Sequence, residues 1–236
     1  MRSGYPIHAP VRAEWVWPWM LLASSLFIGL VSLGYMLSAS IDGDAWLHLW
    51  GFRPDEIMAA LADPGDRNSL LTLLGLVSAI FLHADWVHLI GNLAYLWVFG
   101  ISVEKAIGHV RFGLVLLGLG ALANLYSAWQ LQLAENVAVI GASGGVSAII
   151  GVYLGLFPRR RMGLWLPLGL YLQFARVPAL LVIGSWFTLQ LLYSVFGPAS
   201  QAVAWSAHLA GFVLGLAAAM LLRLFPAHIN LRYRDE

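Results

Sequence analysis

The clearest indication of the fold is the stretch IGASGGVSAIIGVYLGLFPRRR, residues 140–161. A serine between glycines opens it, small and apolar residues fill it, and three arginines end it. A helix that is apolar on every side is buried in a large core or in a membrane. Ser147, Gly151 and Gly155 form a stripe of small residues, which lets helices pack closely within a bilayer. The stretch therefore predicts a membrane helix, and it leaves open whether Ser143 is a nucleophile or a packing residue.

The composition of the whole chain extends this interpretation. Of its 236 residues, 60% are hydrophobic and 11% are charged, whereas about a quarter of the residues in soluble domains are charged. Several apolar runs approach the ~20 residues that cross a bilayer. The run 69–82 is shorter, and we expect it to form a partly buried or interfacial element. We predict an all-α polytopic membrane protein, a bundle of six helices with spans at about 17–38, 86–103, 110–132, 143–157, 178–197 and 203–225.

Lysine and arginine predict the orientation, because they collect in cytoplasmic loops. With both termini in the cytoplasm, 11 of the 13 cationic residues lie on the cytoplasmic side. The other two fall in a long external first loop, 39–68, which also carries six acidic residues. A membrane domain over 15–226 then lies between two cytoplasmic tails, 1–14 and 227–236.

The residue counts exclude several kinds of chemistry. The chain has no cysteine, so disulfides, cysteine-ligated zinc and thiol catalysis are excluded. Its net charge is +1, and no basic patch extends beyond short loops. We therefore expect a lipid bilayer around the chain and no nucleic-acid partner. The sequence carries no signal for an oligomeric state.

Four polar side chains lie at one depth in the predicted spans. His88, Asn92, Ser143 and His208 come 13 to 17 residues before the cation that ends their helix on the cytoplasmic side. At ~1.5 Å per residue this is roughly 20–25 Å above the inner interface, in a hydrocarbon core ~30 Å thick. Polar groups inside a membrane are costly and usually functional. The second, fourth and sixth helices are therefore expected to bring these groups together below the outer surface.

These four groups match the needs of nucleophilic catalysis. A serine needs a base, and histidine is the usual one, which suits Ser143 and His208. His88 and Asn92 are spaced i, i+4 and lie on one helix face. Together with the backbone N–H of Ser143 they could stabilise an oxyanion. No carboxylate lies at this depth, so the pattern predicts a Ser–His dyad and not a triad.

Other interpretations of the same residues stay open. Close helix packing explains the glycines around Ser143, and equally Gly211 and Gly215 on the sixth helix. The string G-x-S-x-G also occurs in α/β-hydrolases, where it follows a strand, but its surroundings here are helical. A metal site built on the histidines lacks an acidic partner, so no metal and no cofactor are expected.

Taken together, the motifs resemble those of the rhomboid intramembrane serine proteases. The matching stretches are HADWVHLIGN, GASG and AHLAGFVLG, which begin at His83, Gly141 and Ala207. A fourth stretch, FGISVEKAIG, contains Glu104, to which the resemblance gives a structural role. Order, spacing and the six-helix layout agree over 69–225.

The resemblance implies Ser143 as nucleophile, His208 as general base, and His88 and Asn92 as oxyanion-hole partners. It gives His83 a supporting place in the local hydrogen-bond network. The supporting glycines would be Gly141, Gly144, Gly211 and Gly215. The implied activity is that of a serine endopeptidase that cleaves transmembrane protein substrates near the outer face of the bilayer without a cofactor.

The chain departs from the family pattern in two places. Some bacterial members carry a tyrosine four residues after the nucleophile, stacked under the histidine, where this chain has Ser147. The support for His208 must therefore come from elsewhere. Many members also carry a Trp-Arg pair at the positions that Leu74 and Gly75 occupy here. This difference affects the expected structure of the first loop and not the dyad. On the fifth helix, the bulk of Trp186 and Phe187 marks a candidate lateral gate for substrates.

Two other functions compete with proteolysis. A non-catalytic membrane chaperone or substrate-binding protein on the same scaffold would not need Ser143 or His208. A transporter or channel would need polar groups through the full thickness of the bilayer, and here they stop at one level. The compact six-helix form suits a multi-pass protein of a bacterial plasma membrane.

Overall fold

The computed structural model describes residues 17–133, 137–168, 171–196 and 205–225. The described chain is mainly helical, and the predicted fold class, a polytopic helical bundle, is confirmed. Its elements in chain order are α1 (Trp19–Trp50), α2 (Pro54–Ala62), α3 (Ser69–Ser78) with a 3-10 turn (Ala79–Phe81), α4 (Trp86–Ile107), α5 (His109–Gly113), a π-helical segment (Leu114–Leu119), α6 (Gly120–Gln130), α7 (Ser143–Leu156), β1 (Arg161–Leu168), β2 (Tyr171–Pro178), α8 (Ala179–Phe196) and α9 (Trp205–Leu224). The predicted tails, 1–14 and 227–236, lie outside the described residues.

Four helices of the described chain are long and apolar enough to cross a membrane by length and composition. They are α1, α4, the continuous helix His109–Gln130 and α9. Three shorter apolar helices are Ser69–Phe81, Ser143–Leu156 and Ala179–Leu189. With 14 residues, α7 extends only ~21 Å, less than the ~30 Å of a hydrocarbon core. The chain is a multi-pass membrane protein, and the count of six spans stays a prediction.

The segment predicted as a long first loop, 39–68, is mostly helical. α1 is kinked at Asp42, a non-helical residue (φ −129°, ψ 27°), and a second helical stretch runs from the kink to Trp50. Aromatic contacts stabilise this second stretch, because Trp46 stacks on Trp50, which packs edge-on against Phe81. α2 then begins with a proline and two acidic residues, which suit the first turn of a helix. The run after this segment forms α3 and the 3-10 turn, a short element as expected.

α7 is the central helix, and it packs against α9 backbone to backbone. Twelve of its 14 residues are buried. A Cβ on Gly151 would lie 2.2 Å from the carbonyl oxygen of Phe212, and one on Gly215 would lie 2.0 Å from that of Ala148. Only glycine allows such approaches, so the small-residue packing predicted for these two helices is present.

A β-hairpin connects α7 to α8, which corrects the all-α prediction for this connection. β1 pairs with β2 in antiparallel register, with Arg161 opposite Pro178. At its base the N–H of Ala179 donates to the carbonyl of Arg160 (3.0 Å). The hairpin pairs backbone groups of this apolar connection with each other, which satisfies them without water.

A buried carboxylate joins the end of α4 to the start of α1. Glu104 is 1% exposed and accepts hydrogen bonds from the N–H groups of Met20 (2.8 Å) and Leu21 (2.9 Å). Free N–H groups and the positive end of the helix dipole favour an anion at this place. The imidazole of His109 at the start of α5 contacts the same carboxylate. Glu104 thus binds three helices to one another.

Candidate active site

Ser143 is the first residue of α7 and follows a sharp turn of the backbone. Gly141 has φ +120°, a conformation that residues with side chains rarely adopt, and a Cβ there would lie 2.8 Å from the ring of His88. Its N–H donates to the carbonyl of Ala79 (2.8 Å) in the 3-10 turn. The first N–H groups of a helix have no acceptor within the helix, and no side chain caps α7 at Ala142.

α9 brings His208 to Ser143, which lies 65 positions earlier in the chain. The imidazole Nε2 is 2.6 Å from the hydroxyl Oγ, and the two residues are 2% and 8% exposed. A Cβ on Gly211 would lie 2.1 Å from the carbonyl oxygen of Gly144. A larger residue at position 211 would therefore push α9 away from α7 and lengthen the Oγ–Nε2 contact.

The neighbours of the His208 ring are aromatic. Its Nδ1 is buried and has no hydrogen-bond partner within the part of the chain that the structure describes. The ring centroid of Trp205 lies 5.9 Å from that of His208, with the two rings edge-on, and the ring centroid of Trp186 lies 6.5 Å from it. Trp186 is 1% exposed, and its Nε1 donates to the hydroxyl of Ser147 (3.2 Å). It therefore lies inside the bundle, although its bulk suggested a gate.

His83 connects α1 to the residue before the serine. It is fully buried, and its Nε2 accepts a hydrogen bond from the N–H of Ala142 (3.2 Å). Nδ1 then carries the proton and donates to the hydroxyl of Ser32 (3.1 Å). That hydroxyl donates to the carbonyl of Phe81 (3.1 Å). This chain of three hydrogen bonds holds the turn before Ser143 against α1.

His88 and Asn92 both lie in the first half of α4. Asp85 caps this helix by accepting from the N–H of His88 (2.8 Å), and the His88 ring lies against Gly141. Asn92 is 1% exposed, and its amide donates to the carbonyl of His88 (2.9 Å). The structure thus brings His88 to the turn before Ser143, while the described hydrogen bond of Asn92 stays within α4.

The described residues are arranged for attack by a hydroxyl group. A serine that donates to an imidazole can pass its proton to that ring as it attacks a carbonyl carbon. The free N–H groups at the start of α7 supply donors and a positive dipole end for the charge that develops. In the described ranges, no three His, Asp or Glu side chains are grouped to hold a metal ion.

Sequence reasoning missed two residues of this neighbourhood. Ser32 accepts the hydrogen bond from His83, and as a polar residue in an apolar span it could have been flagged. Trp205 comes three residues before His208, so helical spacing alone places both on one face. Trp186 was singled out, but its inward direction and its bond to Ser147 had no signal in the sequence.

The chain is similar to a known protein family and to several individual proteins. Residues 71–225 match the family described as Rhomboid domain. Rhomboid protease GlpG of Serratia proteamaculans (strain 568) is 32% identical over 164 residues, 69% of this chain and 52% of that protein. Rhomboid-like protein 11, chloroplastic, of Arabidopsis thaliana is 31% identical over 162 residues, 64% of this chain and 53% of that protein. The chain spans about half the length of these curated relatives.

The family match covers α3 to α9 and includes every residue of the site described above from His83 to His208. The agreement therefore concerns the part of the chain that holds Ser143, and it does not rest on apolar composition alone. This chain belongs to the rhomboid family.

Proposed function

We propose that this rhomboid is a serine endopeptidase that cleaves transmembrane protein substrates within the bilayer, near its outer face. The observation that carries the proposal is the 2.6 Å contact between Ser143 Oγ and His208 Nε2, buried in an apolar bundle. A serine that only allowed two helices to pack would need no imidazole at this distance. The Serratia relative is named a rhomboid protease, which supports the same activity.

The dyad acts as nucleophile and general base. Ser143 Oγ attacks the peptide carbonyl carbon while His208 Nε2 takes its proton. When the tetrahedral intermediate collapses, the imidazolium gives that proton to the leaving amine, and the acyl group stays on Ser143. His208 then takes a proton from a water molecule, whose oxygen attacks the ester. When this second tetrahedral intermediate collapses, the imidazolium returns the proton to Ser143 Oγ and the acyl group leaves as a carboxylic acid.

The oxyanion is stabilised by donors at the start of α7 and on α4. The backbone N–H of Ser143 belongs to the uncapped first turn. The amide of Asn92 has two N–H groups, of which one donates to the carbonyl of His88 and the other serves the oxyanion. His88, held against Gly141, is the third donor. His83 supports these groups by holding the N–H of Ala142.

The short α7 accounts for the site of cleavage. Because this helix extends only ~21 Å, a serine at its outer end lies below the membrane surface, where water reaches it from the outer side. The cationic residues support this orientation, with both termini in the cytoplasm, six spans within 15–226 and the plasma membrane of a bacterium as location. No metal or cofactor takes part in the scheme.

A fluorophosphonate probe tests the dyad. The detergent-solubilised wild type should be labelled on Ser143, and Ser143→Ala and His208→Ala should abolish the labelling. Ser127→Ala is the matched control, because Ser127 is also fully buried and lies on another helix. A folded wild type that resists labelling contradicts the protease proposal and favours a chaperone, whose function would survive Ser143→Ala.

A reconstituted substrate tests the position of cleavage. Proteoliposomes containing the protein and a single-span substrate with helix-weakening residues near its outer end should yield one cut there, located by mass spectrometry. Cleavage in the inner half of the span, or only in the soluble part of the substrate, would contradict the proposed depth of the site.

A further inference from the structure

Trp186 is the largest of three buried side chains in the described part of α8. Ala179 and Ile183 are 2% and 3% exposed and Trp186 is 1% exposed, whereas Leu189 is 55% exposed. Its indole contacts three other helices. Nε1 donates to the hydroxyl of Ser147 on α7 (3.2 Å). The centroid of the indole lies 4.6 Å from the ring centroid of Tyr95 on α4 and 6.5 Å from that of His208 on α9. Among the α8 side chains that the structure describes, this combination of a hydrogen bond to α7 with ring contacts to α4 and α9 is particular to Trp186.

His208 needs support that its hydrogen bonds do not supply. The contact from Nε2 to Ser143 holds one point of the ring, while Nδ1 has no hydrogen-bond partner among the described residues. One contact leaves the ring free to turn about its side-chain bonds. The second constraint must come from packing, and the two rings within range are Trp205 and Trp186.

The two tryptophans constrain His208 differently. Trp205 lies on α9 with His208, so it moves with that helix and cannot relate the imidazole to another one. Trp186 is hydrogen-bonded to Ser147, one helical turn below Ser143 on α7. Of the two tryptophans, it is the one that links the base to a residue of α7 other than the nucleophile.

We propose that Trp186 is a positioning residue, which sets the orientation of the His208 imidazole toward Ser143 through its hydrogen bond to Ser147. The inference rests on the proposed function and adds a residue to it. It also accounts for Ser147, which stands where some relatives have a tyrosine under the histidine. In this chain the supporting ring comes from α8, and α7 contributes the hydroxyl that holds it. Correct docking of α8 is therefore a condition for an active dyad.

The test measures the rate at which a fluorophosphonate labels Ser143 in the full-length protein. This probe is small, so the rate reports on the dyad and not on the entry of a transmembrane substrate. Trp186→Ala should label at least about tenfold more slowly, because small displacements of a catalytic group have large effects on rate. Trp186→Phe keeps a ring but loses the bond to Ser147, and about a threefold decrease is expected.

Trp97 provides a matched control. Its Nε1 donates to the hydroxyl of Ser25 (3.0 Å), an indole–serine bond between α4 and α1. Trp97→Ala and Trp97→Phe remove the same kind of interaction away from His208. They should lower the unfolding temperature, less than the Trp186 variants because Trp97 is only partly buried, while the labelling rate stays within about twofold of the wild type.

A transmembrane peptide substrate separates positioning from substrate entry. Trp186→Phe should lower kcat and leave KM unchanged, since the change affects the chemical step. A change in KM alone would overturn the proposal and assign Trp186 to substrate entry. Labelling of folded Trp186→Ala at the wild-type rate, or equal slowing by the Trp97 variants, would also overturn it. A wild type that is not labelled at all would instead contradict the proposed function.

Discussion

Two of the neighbours of α7, the helices α9 and α8, contact it in opposite ways. Toward α9 the backbones touch across glycines, with a Cβ on Gly211 or Gly215 placed only 2.1 or 2.0 Å from a carbonyl oxygen. Toward α8 the contact runs through long side chains, chiefly Trp186. A cleft of about 360 Å³ between α4 and α8 is lined by residues that include Tyr95 and Leu181.

This difference indicates that the α9 side of α7, and not the α8 side, determines the geometry of the dyad. Backbone contacts have no rotamers with which to adjust, so the α7–α9 interface sets the distance from Ser143 to His208 within narrow limits. Side-chain contacts adjust more easily, so α8 can change position at lower cost. Substitutions on the α9 side should therefore have the larger effects.

Gly215→Ala should have the largest effect, because its Cβ collides with the carbonyl of Ala148 and forces α9 outward. We expect a loss of about 2–3 kcal/mol in the free energy of unfolding and labelling of Ser143 slowed roughly 100-fold. Thermal unfolding in detergent measures the loss of stability, and the rate of fluorophosphonate labelling measures the effect on the dyad. Gly184→Ala is the control, since a Cβ there meets nothing within 4 Å. Wild-type stability and rate in Gly215→Ala would show that α9 can shift freely.

Gly141→Ala tests the turn that presents Ser143. The new side chain requires a rare backbone conformation and meets the His88 ring, so we expect a loss of about 1–3 kcal/mol and labelling slowed at least about tenfold. Gly118→Ala, with open space around its Cβ, should change neither. An active and stable Gly141→Ala protein would mean that His88 is not held by this turn.

His83→Ala tests the support from α1. It leaves the N–H of Ala142 buried without its acceptor, which costs about 1–3 kcal/mol, and labelling should slow several-fold as the turn loosens. Ser32→Ala keeps that hydrogen bond and should have the smaller effect on both measurements. The reverse order would show that Ser32 acts through α1 and not through His83.

Tyr95→Phe should have the smallest effect, and it tests how strongly the dyad depends on the position of α8. It removes the hydrogen bond between Tyr95 and Ser185 (2.7 Å), which joins α4 to α8. We expect less than about 1 kcal/mol of lost stability and a labelling rate within about twofold of the wild type. Slowing as large as that of Gly215→Ala would mean that both sides of α7 are equally rigid.

The residues of the candidate site could be predicted because helix geometry is regular. A constant rise per residue and cations at the helix ends placed Ser143 and His208 at one depth, and the structure brings these two together. The helical stretch of α1 after the kink at Asp42 could not be predicted, since it depends on the contact of Trp50 with Phe81, which is distant in sequence. The β-hairpin could not be predicted either, because its apolar residues carried no clear alternation.

From the sequence alone it follows that the chain is a helical membrane protein. The pattern also predicts most of its apolar helices to within a few residues, and it predicts which polar side chains share a depth. Only the tertiary structure decided that Ser143 meets His208, that His83 holds Ala142, and that Trp186 turns inward while Leu189 faces outward. The physical reason is that lipid is as apolar as the protein interior. An apolar pattern therefore reveals that a segment lies in the membrane, but not how its helix is rotated about its own axis.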